Sequence, residues 1–192
     1  MTEDNRPASQ NGPGEESGKL GDATVTPNPD DIVDISHGHL GADELAAWDQ
    51  VIDDMEATVD EYQEQDWDVL AIYPGDVAVL SEGTRVGLDI LIPNDKYERL
   101  ESLLSNDVDF EESQVFRAIE GSTVFLIIAV ESPDTETAVV YPAYYNMADP
   151  DVGELLSHAR AEGELCSYLR VLGGKYIELS HEDPSLFLSV ND

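Results

Sequence analysis

The acidity of this chain constrains its fold more than any other feature. Its 192 residues include 42 Asp and Glu but only 9 Lys and Arg, for a formal net charge of −33. Residues 1–40 hold only 8 of the acidic side chains, so most of the charge lies where the chain also has the apolar pattern of a folded domain. Each helix and strand must therefore present carboxylates to solvent, and their mutual repulsion opposes a compact state in dilute salt.

Concentrated salt removes that obstacle, because the Debye length falls from about 10 Å at 0.1 M to about 3 Å at 1 M ionic strength. Lysine is also scarce, with only Lys19, Lys96 and Lys175. These traits predict a halophilic protein of a salt-accumulating cytoplasm.

A nucleic-acid mimic would concentrate its carboxylates on one face, and here they follow nearly every element. Direct nucleic-acid binding is excluded by the lack of a basic stripe.

Residues 1–40 are predicted to be a disordered acidic tail, and residues 41–192 a single domain. The tail holds four of the ten prolines and no aromatic residue, so it cannot bury enough apolar surface to offset chain entropy. We find no signal peptide and no run of membrane-spanning length, which favours a soluble cytoplasmic protein without a membrane partner. The single cysteine, Cys166, cannot form an internal disulfide and is expected in the core.

A helical stripe predicts a helix from about Ala42 to about Glu64. Its apolar positions are spaced 3, 4, 3, 4, 3: Leu45, Trp48, Ile52, Met55, Val59 and Tyr62. We expect this stripe to pack on the chain's own sheet. The same spacing fits a heptad seam, so a helix-mediated homodimer is the alternative interpretation.

Apolar alternation after this helix predicts a series of strands separated by turns and two further helices. The strands are expected at Trp67–Tyr73, Val77–Leu80, Val86–Ile92, Gln114–Glu120, Val124–Val130, Thr137–Tyr141, Leu165–Leu172 and Lys175–Leu179. The last two are expected to form a hairpin around the turn Gly173-Gly174. Val124–Val130 is apolar on both faces and is expected to be central, whereas Pro142 should limit pairing of the preceding strand. Asn94 or Asp95 is expected to cap one helix, and the other should start near Asp149.

The order of these elements predicts an α+β fold, a mostly antiparallel sheet with helices packed on one face. An alternative for part of it is a parallel crossover unit linking Val86–Ile92 to Gln114–Glu120.

Motifs that would identify a reaction are incomplete in this chain. A phosphate-loop-like stretch at residues 12–20 has Pro13 where glycine is required and Leu20 where Ser or Thr is required. Asp89 follows a glycine on a strand, as in nucleotidyltransferases, but the second carboxylate is replaced by Leu91. A metal site formed by His37, His39, His181 and Asp183 is less expected than surface histidines. We therefore predict no metal, no cofactor and no catalytic residue.

One aromatic-rich segment of the chain offers a candidate ligand site. Tyr141, Tyr144 and Tyr145 lie close together in sequence, and Arg117 and Arg170 are expected nearby in the sheet. Scarce arginines on strands can hold an anionic ligand or pair with carboxylates in a purely structural role. Packing of the tyrosines at the core edge is the stronger of the two interpretations.

Four segments between Trp48 and Phe187 carry a resemblance: Gln65-Asp66-Trp67-Asp68-Val69, Pro74-Gly75-Asp76-Val77, Gly87-Leu88-Asp89-Ile90-Leu91-Ile92-Pro93 and Tyr141-Pro142-Ala143-Tyr144-Tyr145. In them the chain resembles an uncharacterised haloarchaeal family, a domain of unknown function. It implies a haloarchaeal habitat and a single domain, and it provides no catalytic residue.

Three hypotheses for function follow from the sequence. The first is a non-catalytic binding or regulatory domain that engages a protein or a small anionic ligand through the sheet edge or the tyrosine and arginine region. The second is an enzyme with a dispersed site drawn from Asp89, Arg117, Tyr144, Arg170 and His181. The third is a homodimeric adaptor joined through its long helix.

Overall fold

The computed structural model describes residues 40–187, in which three helices and eight strands alternate. The predicted disordered tail, apart from Leu40, lies outside these residues. The elements are α1 (Ala42–Glu64), β1 (Asp68–Ala71), β2 (Asp76–Leu80), β3 (Gly87–Leu91), α2 (Asn94–Ser105), β4 (Glu112–Glu120), β5 (Thr123–Ser132), β6 (Thr137–Asn146), α3 (Pro150–Glu162), β7 (Leu165–Arg170) and β8 (Tyr176–His181). Short 3₁₀ helices lie at Pro133–Thr135 and Pro184–Leu186.

The eight strands form two sheets of four strands each, where the sequence predicted one. Sheet 1 has the order β1-β6-β5-β4, and sheet 2 has the order β2-β3-β7-β8. Two strand pairs, β1 with β6 and β3 with β7, are parallel, and the other four are antiparallel. The α+β class and the predominance of antiparallel pairing are therefore confirmed.

The alternative crossover unit between β3 and β4 is wrong, because the two strands belong to different sheets. The parallel partner of β3 is β7, which lies far along the chain. The β7–β8 hairpin around Gly173 and Gly174 is confirmed. Its turn places Gly174 at φ +82°, a conformation that glycine adopts without steric cost.

Helix α1 has the bounds predicted from the sequence and packs on one face of sheet 1. Its Trp48 ring contacts Phe125 and Tyr144 at centroid distances of 6.3 and 5.4 Å. At the other end, the Tyr62 hydroxyl donates to the buried carboxylate of Glu131. The apolar stripe is therefore buried against the chain's own sheet, which favours the packing interpretation over the heptad seam.

The buried stripe of α1 differs from the predicted stripe at two positions. Val51 is buried where Ile52 was expected, and Ile52 is only partly buried. Leu45, predicted to belong to the stripe, is 40% exposed. The buried positions are spaced 3, 4, 4 and 3, so they still form one helical stripe, in which Val51 takes the place of Ile52.

Strand β5 is buried at every position, which confirms that it is a central strand. The strand expected to end at Tyr141 continues to Asn146 in register with β5, so Pro142 limits its pairing on one side only. Pairing with β1 ends at Ala71 opposite Val140, so β6 has one partner strand at Pro142. The missing N–H can face the unpaired side without breaking the ladder.

The two shorter helices begin differently. Asp149 caps α3 through a side-chain hydrogen bond to the Asp151 N–H, at 3.1 Å, as expected. In α2 the N-cap is Pro93, which has no side-chain cap bond, so the prediction of Asn94 or Asp95 is wrong. None of the helices in residues 40–187 is both long enough and apolar enough to span a bilayer.

Candidate functional site

The alternation of side chains along β2, β3, β7 and β8 gives sheet 2 an inner and an outer face. Leu88, Ile90, Ser167 and Leu169 point to the inner face and are buried. By the strand register, the outer face carries the rows Asp76, Leu91, Arg170, Tyr176; Ala78, Asp89, Tyr168, Glu178; and Leu80, Gly87, Cys166, Ser180. Ala78, Tyr176, Glu178 and Ser180 are exposed, so solvent reaches this face.

A buried carboxylate lies at the middle of the outer face. Asp89 was predicted to point away from Leu88 and Ile90, and it does, but its side chain is only 8% exposed. The Arg170 Nε–H donates to Asp89 Oδ2, and Arg170 Nη2 lies 3.8 Å from Asp76 Oδ2. Asp89 Oδ1 has no hydrogen-bond donor among the described residues. A second cation, Arg85, has its Nη1 3.7 Å from this oxygen.

Two tyrosines enclose the Arg85 side chain above this carboxylate. The guanidinium carbon lies 4.7 Å from the Tyr176 ring centroid and 5.5 Å from that of Tyr168. The two rings meet edge to face at 5.6 Å. Both guanidinium distances are within the range of a cation–π contact. Burial is the main cause that raises the Tyr168 pKa to about 12, so its ring stays neutral beside the cation.

Gly87 lies on β3 directly beneath the Tyr168 ring. A Cβ at Gly87 would lie 2.2 Å from the carbonyl oxygen of Cys166 and 2.9 Å from the Tyr168 ring. The absence of a side chain therefore lets β3 approach β7 closely and lets the Tyr168 ring lie on the sheet.

An acidic cleft adjoins the outer face along the edge strand β8. Its volume is about 590 Å³. Five carboxylate residues line it, together with Ser180 and four apolar residues, and no Lys or Arg does. The lining residues are Asp109, Glu111, Glu164, Glu178, Glu182, Leu104, Phe110, Val130, Leu179 and Ser180. Such a lining favours a cation that carries some apolar surface.

Cys166 lies beside this cleft, on the outer face, and not in the core as predicted. Its side chain is half-buried, and Sγ lies 4.0 Å from Glu178 Oε1. Burial first, and then the carboxylates of Glu178 and Glu164, raise the pKa of the thiol. A raised thiol pKa lowers the thiolate fraction, which makes this cysteine a poor nucleophile.

His181 was expected on the surface, and the structure places it between the two sheets, fully buried. Ser113 Oγ lies 2.8 Å from its Nδ1, and Ser167 Oγ lies 2.9 Å from its Nε2. The Tyr141 hydroxyl lies 3.4 Å from Nε2, and the Phe187 ring packs against the imidazole. Burial lowers the His181 pKa to about 4, so the ring is neutral at physiological pH and joins the sheets.

The structure does not bring the five predicted ligand-site residues together. Arg117 is exposed on the edge strand β4 of sheet 1. Arg170 lies on the outer face of sheet 2, while Tyr141 and Tyr145 are buried; Tyr141 contacts His181, and Tyr145 donates to the Phe187 carbonyl.

Tyr144 packs in the core of sheet 1, with its ring 5.4 Å from that of Trp48 and 6.2 Å from that of Phe125. Burial is the main cause that raises the Tyr144 pKa, and the charges of Asp76 and Glu44 raise it further.

Four residues of this network were not predicted from the sequence as site residues: Asp76, Arg85, Tyr168 and Tyr176. Tyr168 and Tyr176 flank a predicted hairpin turn, and strand alternation alone would have placed Tyr168 on one face with Arg170. No signal along the chain placed Arg85 above them, because β3 and β7 are separated by two helices and three strands.

Within residues 40–187, no group of three His, Cys, Asp or Glu side chains has the geometry to hold a metal ion. His37 and His39, which the sequence grouped with His181 and Asp183, lie outside the described residues. His181 has both of its ring nitrogens occupied by interior hydroxyls.

Comparison with known proteins identifies a family without identifying a function. Residues 39–189 match the model of a family described as a family of unknown function (DUF7529). No curated protein and no solved structure matches the chain significantly.

Proposed function

The chain belongs to the DUF7529 family. We propose that it is a non-catalytic binding domain for a basic segment of a protein partner. The binding surface is the acidic cleft together with the adjoining outer face of sheet 2. The observation that carries the proposal is the lining of the cleft, which combines five carboxylates with four apolar side chains and has no cationic residue.

Charge favours this ligand class over an anionic one. The small anion considered from the sequence would have to bind an arginine, but Arg170 already pairs with Asp89 and Asp76. An anion would also meet the field of a chain with a net charge of −33, whereas a cation is attracted by it. The buried, neutral His181 supports a binding domain over the dispersed enzyme site, since solvent does not reach its ring.

The apolar part of the cleft allows binding in concentrated salt. At 1 M ionic strength charges farther apart than about 3 Å are largely screened, so direct contacts dominate. Leu104, Phe110 and Leu179 can cover the aliphatic stems of Arg or Lys side chains, which commonly bury these stems while their charged ends stay solvated.

We also propose that the acidic surface is an adaptation to the salt-rich cytoplasm of a haloarchaeal cell. The excess of carboxylates keeps the protein hydrated and soluble where an ordinary surface would salt out.

The binding proposal is tested with a fluorescent peptide of alternating arginine and glycine, in molar KCl. The double variant Glu178→Gln with Glu182→Gln removes two carboxylates of the cleft, and we expect its affinity to fall about threefold, because exposed ion pairs are weak and molar salt screens them further. The matched control, Asp49→Asn with Asp53→Asn, makes the same charge change on the exposed side of α1. Equal losses in the two variants, or none in either, would show that the cleft is not the site.

A further inference from the structure

We infer that Tyr168, Tyr176 and Asp89 form a guanidinium pocket, that Arg85 of the same chain occupies it, and that an arginine of the basic partner replaces Arg85 there. This inference deepens the proposed function and rests on it, since that function supplies the partner. Arg85 is then an internal competitor that holds the site closed until a partner binds.

The pocket has the parts that guanidinium recognition needs. Two aromatic rings stand edge to face and both lie within 5.5 Å of the bound guanidinium carbon. Below them is a buried carboxylate whose Oδ1 lacks a hydrogen-bond donor among the described residues. Aromatic faces with an acidic residue favour a weakly hydrated, planar cation such as guanidinium.

Arg85 is held loosely in this pocket. Its closest approach to Asp89 is the 3.7 Å ion pair, and no hydrogen bond to the carboxylate accompanies it. A guanidinium that approached from outside could align its N–H groups with Oδ1 at hydrogen-bond distance, which a neighbour only four residues away in the chain does not achieve here.

Release of Arg85 does not leave a buried charge unpaired. Arg170 keeps its own hydrogen bond to Asp89 Oδ2, so the carboxylate stays compensated while Arg85 is displaced. Arg85 also belongs to the connection between β2 and β3, residues 81–86, and not to a strand. Its side chain can therefore leave without breaking the strand ladder.

The pocket adjoins the acidic cleft. Tyr168 is directly opposite Glu178 in the β7–β8 register, and Glu178 lines the cleft. A basic segment bound in the cleft could therefore place one arginine over the tyrosines. Because Arg85 occupies the pocket, the apparent affinity for the partner's arginine equals the affinity of the open pocket multiplied by the fraction of molecules in which the pocket is open.

Chemical rescue tests the inference. Methylguanidinium is titrated into Arg85→Ala, and binding is followed by thermal shift and by tyrosine NMR signals at constant ionic strength. We expect saturable binding about tenfold tighter than to the wild-type chain, corresponding to a pocket open in about one molecule in ten. Arg85→Gln, which keeps part of the stem over the rings, serves as a second vacated variant if Arg85→Ala does not fold.

Three controls make the result specific. Arg117→Ala removes an equal charge from an exposed strand and should bind methylguanidinium no better than wild type. Addition of Tyr176→Ala to Arg85→Ala should abolish the gained binding. Methylammonium, which has the same charge but no planar fork, should bind the vacated pocket more weakly.

The inference is overturned if Arg85→Ala binds methylguanidinium no better than the wild-type chain. Where Arg85→Ala does not fold, the same result with Arg85→Gln overturns it. The peptide assay with the Glu178 and Glu182 variants still tests the cleft in that case, because those residues lie in the cleft and not in the tyrosine pocket. If the cleft variants bind peptide normally while the vacated pocket binds methylguanidinium, the pocket stands and the cleft proposal fails.

Discussion

At the scale of single residues, His181 makes stability depend on pH. Its folded-state pKa is about 4 because the ring is buried, and the residues whose side chains contact it, Ser113, Tyr141, Ser167 and Phe187, are uncharged at neutral pH. In the unfolded chain the pKa is about 6.5. Below that value the unfolded chain binds a proton that the folded chain does not.

We expect His181 to stabilise the fold fully above pH 6.5 and to lose about 3 kcal/mol of that contribution as the pH falls to about 4. The measurement is the free energy of unfolding against pH for wild type and for His181→Gln, since the difference removes the effects of the carboxylates. His158→Gln, at an exposed position on α3, should reproduce the wild-type profile. Parallel profiles for wild type and His181→Gln would contradict the assignment.

Two glycines illustrate how the surroundings of a residue determine the effect of one methyl group. Gly87→Ala would place a Cβ against the Cys166 carbonyl and the Tyr168 ring, so we expect destabilisation of about 1–3 kcal/mol, typical of overpacking. Gly153→Ala lies in α3 with nothing within 4 Å of the new Cβ and should stabilise by about 0.5–1 kcal/mol. Denaturant unfolding of both variants tests this, and equal effects would exclude a close approach of β3 and β7.

At the scale of elements, α1 shows that a helical period does not identify every buried position. The sequence favoured Ile52 as part of the stripe, while the structure buries Val51. Spacings of three and of four residues both stay on one face of a helix, so the period after Trp48 admits either Val51 or Ile52, and packing on sheet 1 decides between them.

Aspartate substitutions at positions 51 and 52 test which of the two side chains is buried against sheet 1. Val51→Asp should destabilise by several kcal/mol, because it buries a charge without a partner. Ile52→Asp should cost clearly less, since that side chain reaches solvent. Sedimentation of Ile52→Asp also tests the helix-mediated dimer, because a seam through Ile52 would make this variant dissociate.

At the scale of the whole molecule, repulsion among carboxylates is the dominant electrostatic term. Few of them have a cationic partner, since the ion pairs of the described residues involve only Arg85, Arg99 and Arg170. The remaining charges repel over about 10 Å at 0.1 M salt.

We therefore expect KCl to stabilise the fold and near-pure water to unfold it. Far-UV circular dichroism during dialysis measures the loss, and each kcal/mol recovered with salt should raise Tm by about 2–4 °C for a chain of this length. Sucrose at equal osmolality controls for effects that do not depend on ions. A native spectrum in water and a salt-independent Tm would overturn the proposed halophilic adaptation.

Much of the fold could be predicted because local periodicity reports it. The bounds of α1, the burial of β5, the β7–β8 hairpin and the Asp149 cap each depend on residues within one segment or two adjacent ones. The candidate site was predicted only in part: Asp89 and Arg170 were selected, whereas Arg85, Tyr168 and Tyr176 were not. Their proximity depends on the β3–β7 pairing, and no property of either strand alone specifies its distant partner.

The amino-acid sequence by itself determined the acidic character of the surface, the long amphipathic helix and the positions of most strands, because charge and apolar period are properties of neighbouring residues. Only the tertiary structure decided that the strands divide into two sheets, that His181 lies between them, and that Arg85 rests over two tyrosines above Asp89. Those outcomes depend on contacts between segments far apart in the chain, where the gain from packing and ion pairing competes with the entropy of loop closure.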